Sequence, residues 1–172
     1  MRGSGVAGLG LHGQDGRVSR RAEIAMGPDE VQEFLAQART IILTTIGPDG
    51  VPDPVAMWFV VRDGDMWMRT YAKSQKVTNA RRDPRVAVLV EQGERYAELR
   101  GVQVSGRLEL SEDIDVICEI AAALLVKYEG LDPEHVPAAM EAYRPTATKQ
   151  VAMRLVPERT VSWDHAKLVP GT

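Results

Sequence analysis

Residues 41–64 read IILTTIGPDGVPDPVAMWFVVRDG, and the fold is decided here. Ile41 to Ile46 is rich in β-formers and stops at Gly47-Pro48-Asp49-Gly50, a strong turn signal. Pro54 to Arg62 predicts a second strand. It has Val55, Met57, Phe59 and Val61 on one face and Ala56, Trp58 and Val60 on the other. Asp63-Gly64 then makes a two-residue hairpin into a third strand, Asp65 to Thr70. Short strands joined by tight turns build an antiparallel sheet. A strand that is apolar on both faces needs cover on both sides, and in a chain this small a second copy supplies it.

Upstream, Gly27-Pro28-Asp29-Glu30 opens a helix, because proline suits the first turn and acids there complement the helix dipole. Val31, Phe34, Leu35 and Ala38 follow at helical spacing. Residues 1–27 hold seven of the 15 glycines and no Phe, Tyr or Trp, so they read as a flexible tail that folding does not need. Downstream, Ser74 to Arg82 reads as a short helix stopped by Asp83-Pro84, and Arg85 to Glu91 as the fourth strand. Tyr96 to Leu110 reads as a long fifth strand whose apolar phase slips near Gly101, which suggests a bend there. Ser111 is placed to cap a helix that runs to about Tyr128 and ends at Gly130. A further helical piece spans Pro133 to Tyr143. Two last strands, Gln150 to Val156 and Arg159 to Asp164, meet at Pro157. The expected product is a mainly β, small antiparallel barrel decorated by helices, over residues 28–168, with residues 169–172 as a C-terminal tail.

The 172 residues suit one domain. With 44% apolar and 26% charged residues the composition is that of a globular protein, and aromatics are scarce at 5%. A net charge of −3 argues against a nucleic-acid binder with a strongly basic surface. No stretch reaches the roughly 20 apolar residues of a membrane span, and no secretory signal is legible. A cytoplasmic protein with neither nucleic acid nor membrane as partner is expected. The single cysteine, Cys118, lies on an apolar helical stripe and reads as core. The three histidines are scattered, so no metal site is expected.

The densest polar cluster is residues 69–85, which carry six of the 21 basic side chains. The cluster joins a strand end to a helix start, where free backbone N–H groups and the dipole can hold a phosphate. Ser74 can add a hydroxyl, Lys76 a point charge and Arg69 a planar fork. Read only as spacing, a solvated basic turn fits as well. No nucleophile or acid–base motif accompanies the cluster, so no catalytic side chain is named. That pattern suits an enzyme whose cofactor does the chemistry.

Three segments occur in order: Thr44-Thr45-Ile46-Gly47-Pro48-Asp49-Gly50-Val51-Pro52, Met57-Trp58-Phe59, and Lys76-Val77-Thr78-Asn79-Ala80-Arg81-Arg82-Asp83-Pro84-Arg85-Val86. Together with Tyr96 to Gly101 and Ser162-Trp163-Asp164-His165, they resemble the pyridoxamine 5'-phosphate oxidase-like, FMN-binding split-barrel family. The tone is that of its actinobacterial branch that uses the deazaflavin coenzyme F-420.

The resemblance implies a homodimer of six-stranded antiparallel split barrels with two cofactor sites at the interface. It implies that Ser74 and Lys76 hold the cofactor phosphate, with Gln75 and Asn79 in the same loop. Arg69 and Thr70 end the strand beneath the ring system, Val55 and Met57 offer backbone to the ring, and Tyr96 and Trp163 form a wall supplied by the partner chain. The implied activity is hydride transfer from reduced F-420 to a small or medium organic acceptor. Lys73, Arg81 and Arg82 would meet the glutamates of the F-420 tail. The alternatives are an FMN-dependent oxidase or reductase on the same fold, a cofactor-binding protein with little turnover, and a haem-binding relative in which His165 is the candidate ligand. The arginine pattern of true pyridoxamine-phosphate oxidases is incomplete, which argues against pyridoxamine phosphate as substrate.

Overall fold

Side chains that alternate along each strand collect on one side of a single curled sheet. The computed structural model describes residues 20–168. Its strands are β1 Ile41–Ile46, β2 Pro52–Met57, β3 Val60–Arg62, β4 Asp65–Tyr71, β5 Arg85–Gln92, β6 Arg100–Ser111 and β7 Gln150–Asp164. The helices are α1 Arg20–Glu23, α2 Pro28–Gln37, α3 Gln75–Arg82, α4 Ile114–Glu129 and α5 Val136–Ala147. Every strand pairing is antiparallel, in the order β2-β1-β5-β6-β7-β4-β3. Ile41 and Leu43, Met66 and Met68, Val86 to Val90 at every second position, Val102 and Val104, and Val151 to Leu155 at every second position point inward. With Phe34 and Leu35 of α2 and Val77 and Ala80 of α3 they form the main core. A second cluster lies on the outer face of β3, β4 and β7, where α4 and α5 pack Ile117, Cys118, Ile120, Leu124 and Ala147 over Val60 and Ala152.

The sheet has seven strands rather than the expected six. The single strand expected over Pro54 to Arg62 is two, broken at Trp58 and Phe59. β2 and β3 lie on opposite edges of the sheet, yet Met57 and Val60 are only three residues apart. Three residues span at most about 10 Å. In a flat seven-stranded sheet the edges would stand about 29 Å apart, six strand spacings. The sheet therefore has to curl until its edges meet at this crossing, which makes the half-barrel.

The crossing is fixed from α4. Tyr128 Oη accepts from the Phe59 N–H at 3.1 Å and lies 2.8 Å from the Phe59 carbonyl and 2.6 Å from the Arg39 carbonyl. Its ring stacks on Trp58 at 4.5 Å, with Arg39 on the ring as well. Lys127 reaches the Phe59 carbonyl and sits over the Phe59 ring, and burial holds its amine below the ordinary lysine range.

Four further expectations need correction. Tyr96–Glu98 is a 3-10 turn, and β6 begins only at Arg100. The bulge lies at Ser105/Gly106, where Glu158 of β7 has no opposite residue. A Cβ on Gly106 would sit 2.1 Å from the Val156 carbonyl oxygen, whereas Gly101 is small to admit the Trp163 ring, which a Cβ there would meet at 2.3 Å. The bulge keeps β7 continuous through Pro157. Asp113, not Ser111, caps α4, accepting from the N–H groups of Asp115 and Val116.

The expected N-terminal tail also ends too late. Residues 1–19, like residues 169–172, lie outside the described residues. Met26, however, is buried in the core. Its N–H donates to Ser162 Oγ, and the Asp164 N–H donates to the Ile24 carbonyl. Among the described residues, no helix is long and apolar enough to cross a membrane.

Two outcomes follow. Tyr128→Phe strands the Phe59 amide and should cost about 1–3 kcal/mol, read as a lower urea midpoint. A chain beginning at Gly27 loses the Met26 side chain from the core, and its melting temperature should fall by several degrees.

Candidate cofactor site at the start of α3

Ser74 is the N-cap of α3, held by its own N–H on the Tyr71 carbonyl at 3.0 Å. Its hydroxyl makes no cap bond. Ser74 Oγ is buried and has no partner. The first amides of a helix have no intrahelical acceptor, so the corner presents unused donors under a positive dipole end. Lys76, at the second position of the helix, is half-buried and has neither hydrogen bond nor ion pair among the described residues. A buried hydroxyl without a partner is a cost that a ligand oxygen removes. Ser74, Lys76 and the helix start therefore fit a phosphate.

Two residues expected beside them do other work. Asn79 is fully buried. Its amide donates to Thr45 Oγ1 and to Asp53 Oδ2, each at 3.0 Å, and its oxygen accepts from Gln75 Nε2 at 2.9 Å. Asn79 thus ties α3 to β1 and β2 and positions the corner, with the exposed Gln75 braced on it. Three of the basic residues are also committed. Arg81 pairs with Glu112, and Arg82 donates to the Ile46 carbonyl. Arg85 donates from Nε to Oδ1 and from Nη2 to Oδ2 of Asp83 and holds that carboxyl's pKa down at about 2. Lys73 and Lys76 keep no partner among the described residues.

On β4, Thr70 is half-buried opposite Val151, and Arg69 points to the outer face beneath α5. Arg69 donates to Gln150 Oε1 at 2.6 Å and lies over the Tyr143 ring at 5.1 Å. Nothing in the local pattern of residues 69–85 announced Tyr143 or Gln150, because their contact depends on how α5 returns to β7. Val55 and Met57 lie opposite Leu43 and Ile41 and pack on the core, so their backbone rather than their side chains can meet a ligand.

Tyr96 and Trp163 stand elsewhere. Trp163 is eleven residues beyond Ala152, the partner of Arg69, which is about 36 Å of strand. Tyr96 is 72% exposed, against the ring of His165, whose Nδ1 lies 2.9 Å from the Tyr96 carbonyl. One copy of the chain does not bring these residues to the α3 corner.

A curled antiparallel half-barrel of this kind is a split barrel. Residues 28–164 match the family model described as pyridoxamine 5'-phosphate oxidase, and the chain belongs to that family. Solved structures agree. A conserved hypothetical protein of Mycobacterium tuberculosis is 41% identical with a TM-score of 0.80, covering 90% of this chain and 96% of that one. An F-420 reductase is 25% identical with a TM-score of 0.58, covering 75% and 94%. A haem storage protein of Vibrio cholerae shares the fold at 17% identity and a TM-score of 0.58, covering 78% and 93%. No protein with a curated description matches the chain.

If Asn79 positions the corner, Asn79→Ala should lower stability by about 1–3 kcal/mol even without ligand, because it strands the buried Thr45 hydroxyl. Chemical denaturation of the free protein checks this.

Proposed function

We propose that this chain is an oxidoreductase that uses reduced coenzyme F-420 as hydride donor to a small or medium organic acceptor. The observation that carries the reading is the buried, unpartnered hydroxyl of Ser74 at the start of α3, with the unpaired Lys76 beside it. That corner is built for a phosphate. The choice of F-420 over FMN is supported by the motif resemblance and by the likeness to a protein described as an F-420 reductase. When bound, the cofactor would supply the hydride. The protein's own residues hold the phosphate, offer β2 backbone to the ring, and exclude water, so that positioning supplies much of the rate.

The reading includes a homodimer with shared sites. Its support is the outer face of β2, β1 and β5. Pro52, Pro54 and Ala56 stand beside Ile42, Thr44 and Ile46, which in turn face Ala87 and Leu89. Ile42, Leu89 and the 49%-exposed Trp58 are large apolar groups open to water on a single copy. A two-fold partner covers such a face. It would also carry its own Tyr96 and Trp163 to a corner that a single chain leaves without them.

Light scattering at micromolar concentration should give about twice 18.9 kDa, and a monomer mass removes the shared-site reading. Titration with F-420 and FMN in parallel should show tighter binding of F-420. Lys76→Ala should weaken it about ten- to a hundredfold, a charge-assisted contact of roughly 1.5–3 kcal/mol. Added salt should weaken the wild type more than this variant, because the variant lacks the screened charge. Ser74→Ala should cost less affinity and leave the stability of the free protein unchanged or raised. Equal affinities for wild type and Lys76→Ala overturn the phosphate assignment.

A further inference from the structure

Among the described residues, three buried side-chain polar atoms have no hydrogen-bond partner: Ser74 Oγ, Arg69 Nε and Tyr143 Oη. The first belongs to the phosphate corner. The other two form a separate couple, the guanidinium lying 5.1 Å from the centre of the Tyr143 ring. Arg69 has one neutral partner, Gln150, and no carboxylate. The Nη1 side of the guanidinium is taken by Gln150, and what remains are two buried donors, Arg69 Nε–H and the Tyr143 O–H, that lack an acceptor. Native proteins rarely leave buried donors in that state, and an anion is the acceptor that suits both.

Next to Gln150, the partner of Arg69, opens a cleft of about 470 Å³ lined by Tyr71, Ala72, Lys73, Thr148 and Lys149, with Arg69 and Tyr143 themselves outside its lining. No acid lines it, and its two lysines have no ion-pair partner among the described residues. It is framed by two turns that bind each other, the Ala72 N–H donating to the Lys149 carbonyl at 3.0 Å. Tyr71 belongs to both places. It lines the cleft, is 61% exposed, and is paired across the sheet with Gln150, the residue that holds Arg69. A rotamer change of an exposed side chain takes picoseconds to nanoseconds, so a swing of Tyr71 is a cheap way to open the couple to the cleft.

We propose that this cleft is a carboxylate-binding subsite, with Arg69 Nε–H and Tyr143 O–H as its inner donors and Lys73 and Lys149 as its outer charges. Two ligand classes bring such a group: an acidic peptide-like tail on a cofactor, and a free organic acid that acts as acceptor. Only the first source rests on the proposed use of F-420. The subsite itself does not, because its residues lie outside the phosphate corner apart from their shared strand end.

The test uses the full chain with no cofactor added, so its outcome is read separately from any cofactor titration. The probes are γ-glutamylglutamate and benzoate, followed by two-dimensional NMR. Each should give saturable shifts at the amides of Tyr71, Ala72, Thr148 and Lys149, and the two should compete. Tyr143→Phe should bind both about tenfold more weakly while melting at the same or a higher temperature, since it loses a hydroxyl without an acceptor. The double variant Lys73→Ala/Lys149→Ala should also bind more weakly and lose most of its salt dependence. Tyr71→Ala should bind at least as well as the wild type. Tighter γ-glutamylglutamate binding marks the tail as the source, and tighter benzoate binding marks a free acid. Absence of saturable shifts with both probes, or unchanged affinity in Tyr143→Phe, overturns the subsite.

Discussion

The structure depends on a tyrosine hydroxyl and the two residues it holds. Trp58 and Phe59 carry the chain from one edge of the sheet to the other. A two-residue crossing leaves backbone groups with no strand to pair with, and buried groups of that kind are costly unless satisfied. Tyr128 meets the Phe59 amide and sits against two carbonyls at the same point. Its position at the last turn of α4 therefore couples the outer helix pair to closure of the barrel. Stacking on Trp58 adds contact area at the rim of the apolar face assigned to the partner chain.

Closure in turn sets the site. β2 is held beside β1, and Asp53 on β2 meets Asn79 on α3 together with Thr45 on β1. This small polar hub is fully satisfied, so it fixes the helix in one orientation. Once α3 is fixed, the donors at its start are fixed as well, and Ser74 Oγ and Lys76 remain unspent. The remaining charges of the basic segment are divided by the same geometry. Arg81, Arg82 and Arg85 face Glu112, the Ile46 carbonyl and Asp83 and serve the fold, which removes Arg81 and Arg82 as partners for an acidic cofactor tail.

Much of this is legible in the residue string, and the failures share a cause. β1 is read to the residue because Ile41 to Ile46 is bounded by a strong turn, and α3 is read from Ser74 and Asp83-Pro84. Pro54 to Arg62 misleads because strand propensity runs unbroken through Trp58 and Phe59. The break is imposed by Tyr128, nearly seventy residues later. Gly101 reads as the bend, but the bulge falls at Gly106, because Glu158 of β7 is unpaired there while Gly101 makes room for Trp163. Met26 looks like tail because residues 1–27 as a whole are rich in glycine and lack aromatics, and Ser162 and Arg100, far along the chain, hold it in the core. At the site, residue type and the resemblance both point to Ser74 and Lys76, and the fold leaves Ser74 Oγ without a partner. Asn79 is polar in the right loop, but its partners Thr45 and Asp53 lie on β1 and β2, and Gln75 is braced on Asn79, a role that sequence proximity does not show. The Arg69–Tyr143 couple has no local signal at all.

The central claim is that the α3 corner holds a phosphate. Phosphorus-31 NMR of F-420 added to the protein observes that group itself. The account predicts that the phosphorus resonance shifts and broadens on binding to the wild type, and that Ser74→Ala moves the bound resonance back toward its free position. A cofactor whose ring fluorescence reports binding while its phosphorus resonance stays at the free position would contradict the account.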